Sequence, residues 1–174
     1  MNKFIYITDT EMHEFLDEFG MVKMNLPEAH EVTYSCAVPG SKGLEIRVFT
    51  SIVFGRSRKY GKDAIRVVTF DTSQQDNGKV RPIGAQEKVL RTEGWKVRLK
   101  KQIEEAFDNA ITNKKCPDGH YMIVRTVKKD IKYNGKVWRK KGSKFLGCSL
   151  YPQCKYTEPY TGSVTREELA VHCL

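Results

Sequence analysis

The chain has 174 residues, 40% apolar and 29% charged, with a formal net charge of +9. That length holds one ordinary domain plus a small module, and the apolar share is that of a chain with a packed core. No run approaches 18 apolar residues, which argues against a transmembrane helix and any membrane partner. The N-terminus, MNKFIYITDTEMHEF, lacks the apolar core and small-residue cleavage site of a signal peptide, so a cytoplasmic location is expected. The five cysteines are an odd number and three sit in a metal-like pattern, which fits reduced thiols and zinc better than disulfides.

In chain order, Phe4–Ile7 reads as a short strand. Thr8–Gly20 reads as a helix: Thr8 or Asp9 caps it, Met12, Phe15, Leu16 and Phe19 share a face, and Gly20 stops it. Glu31–Val38 has strand character and ends at Pro39-Gly40. Leu44–Phe54 and Ala64–Phe70 are rich in β-branched and aromatic residues and read as paired strands. Between them lies a glycine-bounded basic loop, and Thr72–Gly78 reads as a second turn. Lys79–Arg91 holds a further strand, interrupted by Pro82 and Gly84. In Trp95–Thr112, Trp95, Leu99, Ile103, Ala106, Phe107 and Ala110 recur at helical spacing. Asn113–Lys115 reads as a junction, and Thr165–Val171 in the tail as a short helix. The expected organisation is α+β: an N-terminal antiparallel sheet packed with one or two helices over 1–113, a small zinc β-ribbon over 114–158, and a tail over 159–174.

The ribbon is expected from its ligands. Cys116-Pro-Asp-Gly-His120 supplies one close pair, and Cys148 and Cys154 in FLGCSLYPQCKYT supply the other. Two Cys/His pairs separated by a hairpin-length segment suit a tetrahedral structural Zn²⁺. Pro117, Gly119, Gly147 and Pro152 permit the tight turns. The charge is concentrated in the same place. Residues 1–115 hold 19 Lys/Arg against 16 Asp/Glu, whereas residues 116–158 hold 10 against 3. Basic excess coinciding with a zinc pattern points to a polyanion partner, a nucleic acid.

Phe145–Thr157 resembles the second half of the small zinc ribbons at the C-terminus of bacterial type IA DNA topoisomerases, through F-x-G-C-x-x-Y-P-x-C spacing. Cys116-Pro117 followed by Met122-Ile-Val-Arg125 is similar to the first half. The likeness covers about a quarter of the chain. It departs where the family carries a second Cys three residues after the first. Here that position is Gly119, and His120 is the natural substitute. The segment between the pairs is also longer and more basic than the family's usual hairpin. The resemblance implies binding of DNA, mostly single-stranded, and not strand passage, because nothing before Cys116 resembles the catalytic domains.

Candidate phosphate contacts in the ribbon are Arg125, Lys128, Lys129, Lys132, Lys136, Arg139, Lys140, Lys141 and Lys144. Trp138, mid-hairpin between Lys136 and Arg139, is the candidate for stacking on unpaired bases. A metal-pinned hairpin of this size cannot bury Trp138, Tyr151 and Tyr156 together. Tyr151, beside Pro152, is expected to cover the knuckle.

Three constellations stand out in the N-terminal part. Arg56, Arg58, Lys59, Tyr60 and Lys62 form a basic loop that reads either as a phosphate tracker or as a solvated turn. Alternation puts Arg47 and Arg66 on one sheet face with Phe49 and Phe70, and Leu44, Ile46, Val48 and Ile52 on the other. The cationic face suits a single-strand platform, or else is salt-bridged by Glu45 and Asp63. Glu45, Asp63, Asp71 and Asp76 lie on or beside strands and could hold Mg²⁺ for phosphodiester cleavage, although no acid-x-Lys tripeptide sits in a good strand. No Gly-x-x-x-x-Gly-Lys-Ser/Thr loop or Ser/His/Asp order occurs. The reading is a zinc-containing DNA-binding protein of replication, recombination or repair. The alternatives are a Mg²⁺-dependent nuclease and a protein-binding adaptor.

Overall fold

The structure is a computed structural model, and it describes residues 4–25, 31–53, 64–76, 78–110 and 114–160. The chain divides into two compact units: Met1–Val38 with Lys42–Phe107, and Asp108–Leu174 with Pro39–Ser41. The fold is mixed, two helices with antiparallel sheets.

The first unit carries α1 (Asp9–Asp17), β1 (Val22–Lys23), β2 (Glu31–Ala37), β3 (Leu44–Val53), β4 (Ala64–Asp76), β5 (Lys79–Leu90) and α2 (Trp95–Ala110). The five strands form one antiparallel sheet in chain order. Thr8 caps α1 by accepting the Glu11 N–H at 3.1 Å. Met12 and Leu16 are the buried side of α1. Trp95, Leu99, Ile103, Phe107 and Ala110 form the buried stripe of α2, as their spacing predicts.

One sheet face is apolar. Tyr34 pairs with Val48, which pairs with Val67, and all three are buried along with Leu44, Ile46 and Ile65. Helix α1 covers this face, because His13 Nδ1 lies 3.2 Å from the Tyr34 hydroxyl. Helix α2 lies beside α1, with Phe15 and Trp95 edge to face at 5.3 Å.

The other face carries Arg47, Phe49, Arg66 and Phe70 together, as the alternation predicts. The Arg47 guanidinium lies 4.4 Å over the Phe70 ring, and that of Arg66 lies 4.6 Å over Phe49. Arg47 is ion-paired with Glu45, and Arg66 with Glu31. The Glu31 pairing was not foreseen, and it has a backbone purpose. Ser51 adopts φ 67°, and its N–H donates to the buried Glu31 carboxylate at 2.8 Å. Here β3 gains extra residues against β2, between Thr33↔Phe49 and Glu31↔Val53. Glu31 thus holds a bulge in place, and the alternation stops there: Thr50 and Ser51 are buried while Ile52 is only half-buried.

Three expectations are corrected. Phe4–Ile7 is not a strand; Ile5 makes one backbone bond, to the Arg91 carbonyl, and a single bond builds no ladder. The turn expected over Thr72–Gly78 is narrower, because β4 continues to Asp76 across a register shift between Asp71 and Gln75. Pro82 and Gly84 do not break β5, which is an edge strand where a missing proline N–H costs no ladder bond.

The second unit holds β6 (Met122–Thr126), β7 (Ile131–Tyr133), β8 (Lys136–Arg139), β9 (Lys144–Cys148) and β10 (Thr157–Pro159). Strands β10, β9 and β6 form a three-stranded sheet, and β7–β8 stand apart as a two-stranded hairpin. Cys116, Met122, Val124, Leu146 and Cys148 are its small buried core, with Leu150, Cys154 and Tyr160 packed against them.

Arg66→Ala would strand the buried Glu31 carboxylate and loosen the bulge. It should cost about 3 kcal/mol in a urea titration, the lower end for a broken buried pair because Arg66 is partly exposed. Val97→Ala, at an exposed site on α2, should cost less than about 0.5 kcal/mol. Equal, small losses would mean that Glu31 does not hold the bulge.

Candidate metal centre and the basic hairpin beside it

Two turns build the centre. Lys115 and Tyr121 bridge, and between them the chain reverses: Gly119 N–H donates to the Cys116 carbonyl at 2.9 Å, and Cys116 N–H to that of His120 at 2.8 Å. Gly119 takes φ +85°, a conformation a side chain would strain. The reversal sets Cys116 and His120 side by side. In the second turn Tyr151 N–H donates to the Cys148 carbonyl at 3.2 Å and Cys154 N–H to that of Leu150 at 3.1 Å. Leu150 N–H points at the Cys148 sulfur, 3.4 Å away. Ser149 N–H bonds the Tyr121 carbonyl at 2.9 Å and links the two turns.

The ligand atoms of Cys116, His120, Cys148 and Cys154 all lie within 4.8 Å of one another. The Cys116 sulfur is 3.8 Å from that of Cys148, 4.0 Å from that of Cys154 and 3.4 Å from His120 Nδ1. A tetrahedron with Zn–S arms of about 2.3 Å and a Zn–N arm of about 2.0–2.1 Å has S–S edges near 3.8 Å and S–N edges near 3.6 Å. The donors are close enough to hold a metal ion, and the set is compatible with zinc. His120, one residue beyond Gly119, brings the fourth donor atom into the cluster.

The protons in the cluster are unevenly held. Burial opposes the Cys116 thiolate, but hydrogen bonds from the His120 and Asp118 backbone and from the Cys148 and Cys154 thiols outweigh it, so its pKa is lowered. Burial pushes the Cys148 thiol up to about 12, against the pull of the Leu150 N–H, and its bonds to Cys154 and Cys116 add to the rise.

Beside the centre the chain runs into the β7–β8 hairpin. Its turn is Asn134-Gly135, with φ of 51° and 75°, the two left-handed residues of a type I′ turn. Lys128, Lys129, Lys132, Lys136, Lys140, Lys141 and Lys144 are all exposed. Trp138 is 63% exposed, and Tyr133 at the tip is 71% exposed. Arg139 is half-buried, its guanidinium 4.2 Å over Trp138 and 4.0 Å over Phe145. Arg125 turns back to the second knuckle, with Nη2 3.4 Å from the Cys148 carbonyl and its guanidinium 5.3 Å over Tyr151. Tyr151 does not cover the knuckle; it is 55% exposed, because Leu150, Cys154 and Tyr160 occupy that place. Tyr133 escaped notice in the sequence. The signal for it was Asn134-Gly135 directly after Tyr133, a hairpin turn that brings that ring to a tip.

Other candidates lie elsewhere. Arg47 and Arg66 are in the ion-paired ladder of the first unit. Arg56, Arg58, Lys59, Tyr60, Lys62 and Asp63 lie outside the described residues, as does the tail helix. Among the described residues, the Cys3His cluster is the only group of three or more side chains poised for a metal, so no carboxylate cluster assembles there. None of the helices among them is long and apolar enough to cross a membrane.

No protein-family model, curated protein or solved structure matches this chain.

Metal loading must displace the Cys148 proton. That thiol is protonated throughout the range from about pH 6 to about pH 8, so apparent affinity should rise with pH, about tenfold per unit for each proton released. Competition against a chromophoric chelator measures this. A pH-independent affinity would show that the thiols do not ligate.

Proposed function

We propose that the chain is a zinc-containing DNA-binding protein that prefers single strands and acts in replication, recombination or repair. The observation that carries this reading is the junction of two features in one unit. A four-donor cluster pins two turns, and an exposed hairpin dense in lysine and aromatic rings springs from the same sheet.

Zn²⁺ would be held by Cys116, His120, Cys148 and Cys154. Four protein donors leave no open position, so the ion's part is structural. When bound it replaces the protons that now separate the thiols and ties the start of β6 to the end of β9. The protein's own residues do the binding. Residues 128–144 carry 8 Lys/Arg and 1 Asp, and the Asp130 carboxylate already accepts the Lys141 N–H at 2.8 Å. That leaves seven more cations than carboxylates along residues 128–144, a strip suited to an external anion. Exposed Trp138 and Tyr133 add the flat apolar faces on which unpaired bases stack. The resemblance of Phe145–Thr157 to topoisomerase zinc ribbons points the same way. A second reading, a protein-binding adaptor, draws on Ile131 and Val137, which are also exposed on the hairpin. The charge around them favours nucleic acid.

The affinity for single-stranded DNA should fall steeply with salt. The log–log slope is about −0.7 per phosphate neutralised, and Lys136→Ala should make it shallower by about that much. A flat salt dependence, measured by fluorescence anisotropy, would remove this reading. Chelation or Cys148→Ala should unfold the second unit and release DNA, while Trp95, buried in the first unit, keeps its native emission. DNA affinity unchanged by complete metal removal would separate the metal from the binding surface.

A further inference from the structure

The hairpin's two sides are unlike in one respect that decides how it can meet a base. Its foundation is closely tied. Val127 N–H bonds the Ser143 carbonyl at 2.9 Å, Gly142 N–H the Val127 carbonyl at 2.8 Å, and Ser143 N–H the Lys140 carbonyl at 3.1 Å. Above this, every residue of β7 and β8 except Arg139 is exposed. Two strands without a core are marginal in water, so the hairpin's orientation rests on that foundation and on Arg139. Arg139 lies over Phe145 of the sheet and over Trp138 of the hairpin, and its Nη2 reaches the Thr157 hydroxyl at 3.3 Å.

The arrangement fills one face of the Trp138 indole with a guanidinium 4.2 Å away, yet leaves the residue 63% exposed. A ring with two open faces can slide between successive bases. A ring with one open face can stack on a single base and then ends the stack. Intercalation would require Arg139 to leave two rings and a hydroxyl.

We propose that the β7–β8 hairpin caps base stacks: Trp138 lays its one open face on the terminal base or base pair of DNA, at an open strand end or duplex end. This rests on the DNA-binding reading and narrows it to a substrate class. The cations fit that position. Lys136 sits two residues before Trp138, and Lys140 and Lys141 follow Arg139 directly, so ammonium groups flank the ring where the last phosphates of a strand run. The positive charge on the covered face polarises the indole, and the open face is the one turned to solvent.

The test compares two DNAs with the same base pairs. One is a hairpin duplex with a blunt end, and the other is a dumbbell closed by loops at both ends. Only the first presents a terminal base pair. Trp95 is 4% exposed, so quenching reports Trp138. The blunt hairpin should quench Trp138 and bind about 5- to 150-fold tighter than the dumbbell, the range expected of one base–aromatic stack. Trp138→Ala should erase that difference and leave the salt-dependent binding common to both DNAs. Trp138→Phe should restore part of it. Zinc content of each variant reports the fold. Equal affinity and equal quenching on the two DNAs would overturn end-capping and leave the DNA-binding reading standing. No binding of either DNA, nor of a single strand, at low salt would overturn both.

Discussion

Three sulfurs and an imidazole held within 4.8 Å are the constraint on which the second unit depends. Thiolates about 4 Å apart repel strongly in a partly buried site. Such a cluster persists only if protons or a cation sit among the sulfurs. The chain is committed to that choice by backbone geometry. Gly119 makes the first reversal, the Leu150 and Cys154 N–H groups shape the second, and Ser149 joins them through Tyr121. Among the described residues the buried core cluster holds five side chains, and two of them are cysteines of the donor cluster. So small a core leaves most of the binding strength of the unit to whatever occupies the cluster.

The exposed surface follows from what this economy leaves outside. Among the described residues the core cluster lies at the two turns and the β6–β9 sheet, and no residue of β7 or β8 belongs to it. The rings of Tyr133 and Trp138 therefore stay in solvent, in a segment crowded with lysine. Arg139 reconciles the two demands: its planar cation stacks between a sheet ring and a hairpin ring, and gives an exposed hairpin a fixed bearing without burying it.

The first unit shows the opposite solution for the same residue types. Arg47 and Arg66 lie over Phe70 and Phe49 as Arg139 lies over Trp138, but each has a carboxylate beside it. Their charge is answered within the protein, and Glu31 serves the bulge at Ser51 as well. Cations over rings thus mark an internal brace in one unit and an outward surface in the other. Among the described residues the difference lies in the ion-paired acid beside Arg47 and Arg66.

Much of this was legible in the chain itself. Spacing along α2, alternation in β3 and β4, the Thr8 cap and the Cys3His set are local patterns, and local patterns survive without knowledge of the fold. The four-donor cluster was readable because a metal's geometry demands close pairs and turn residues between them. What the sequence left open was every matter of pairing across distance. That Pro82 lies on an edge strand, that Glu31 answers Arg66 from 35 residues away, and that Leu150 and Tyr160 displace Tyr151 from the knuckle depend on which segments meet. Strand order and cross-strand partners are not written at any one position. Trp138 could be named as exposed from its neighbours in sequence. That one of its faces is covered was decided by Phe145 and Thr157, which hold Arg139 against it from another part of the sheet.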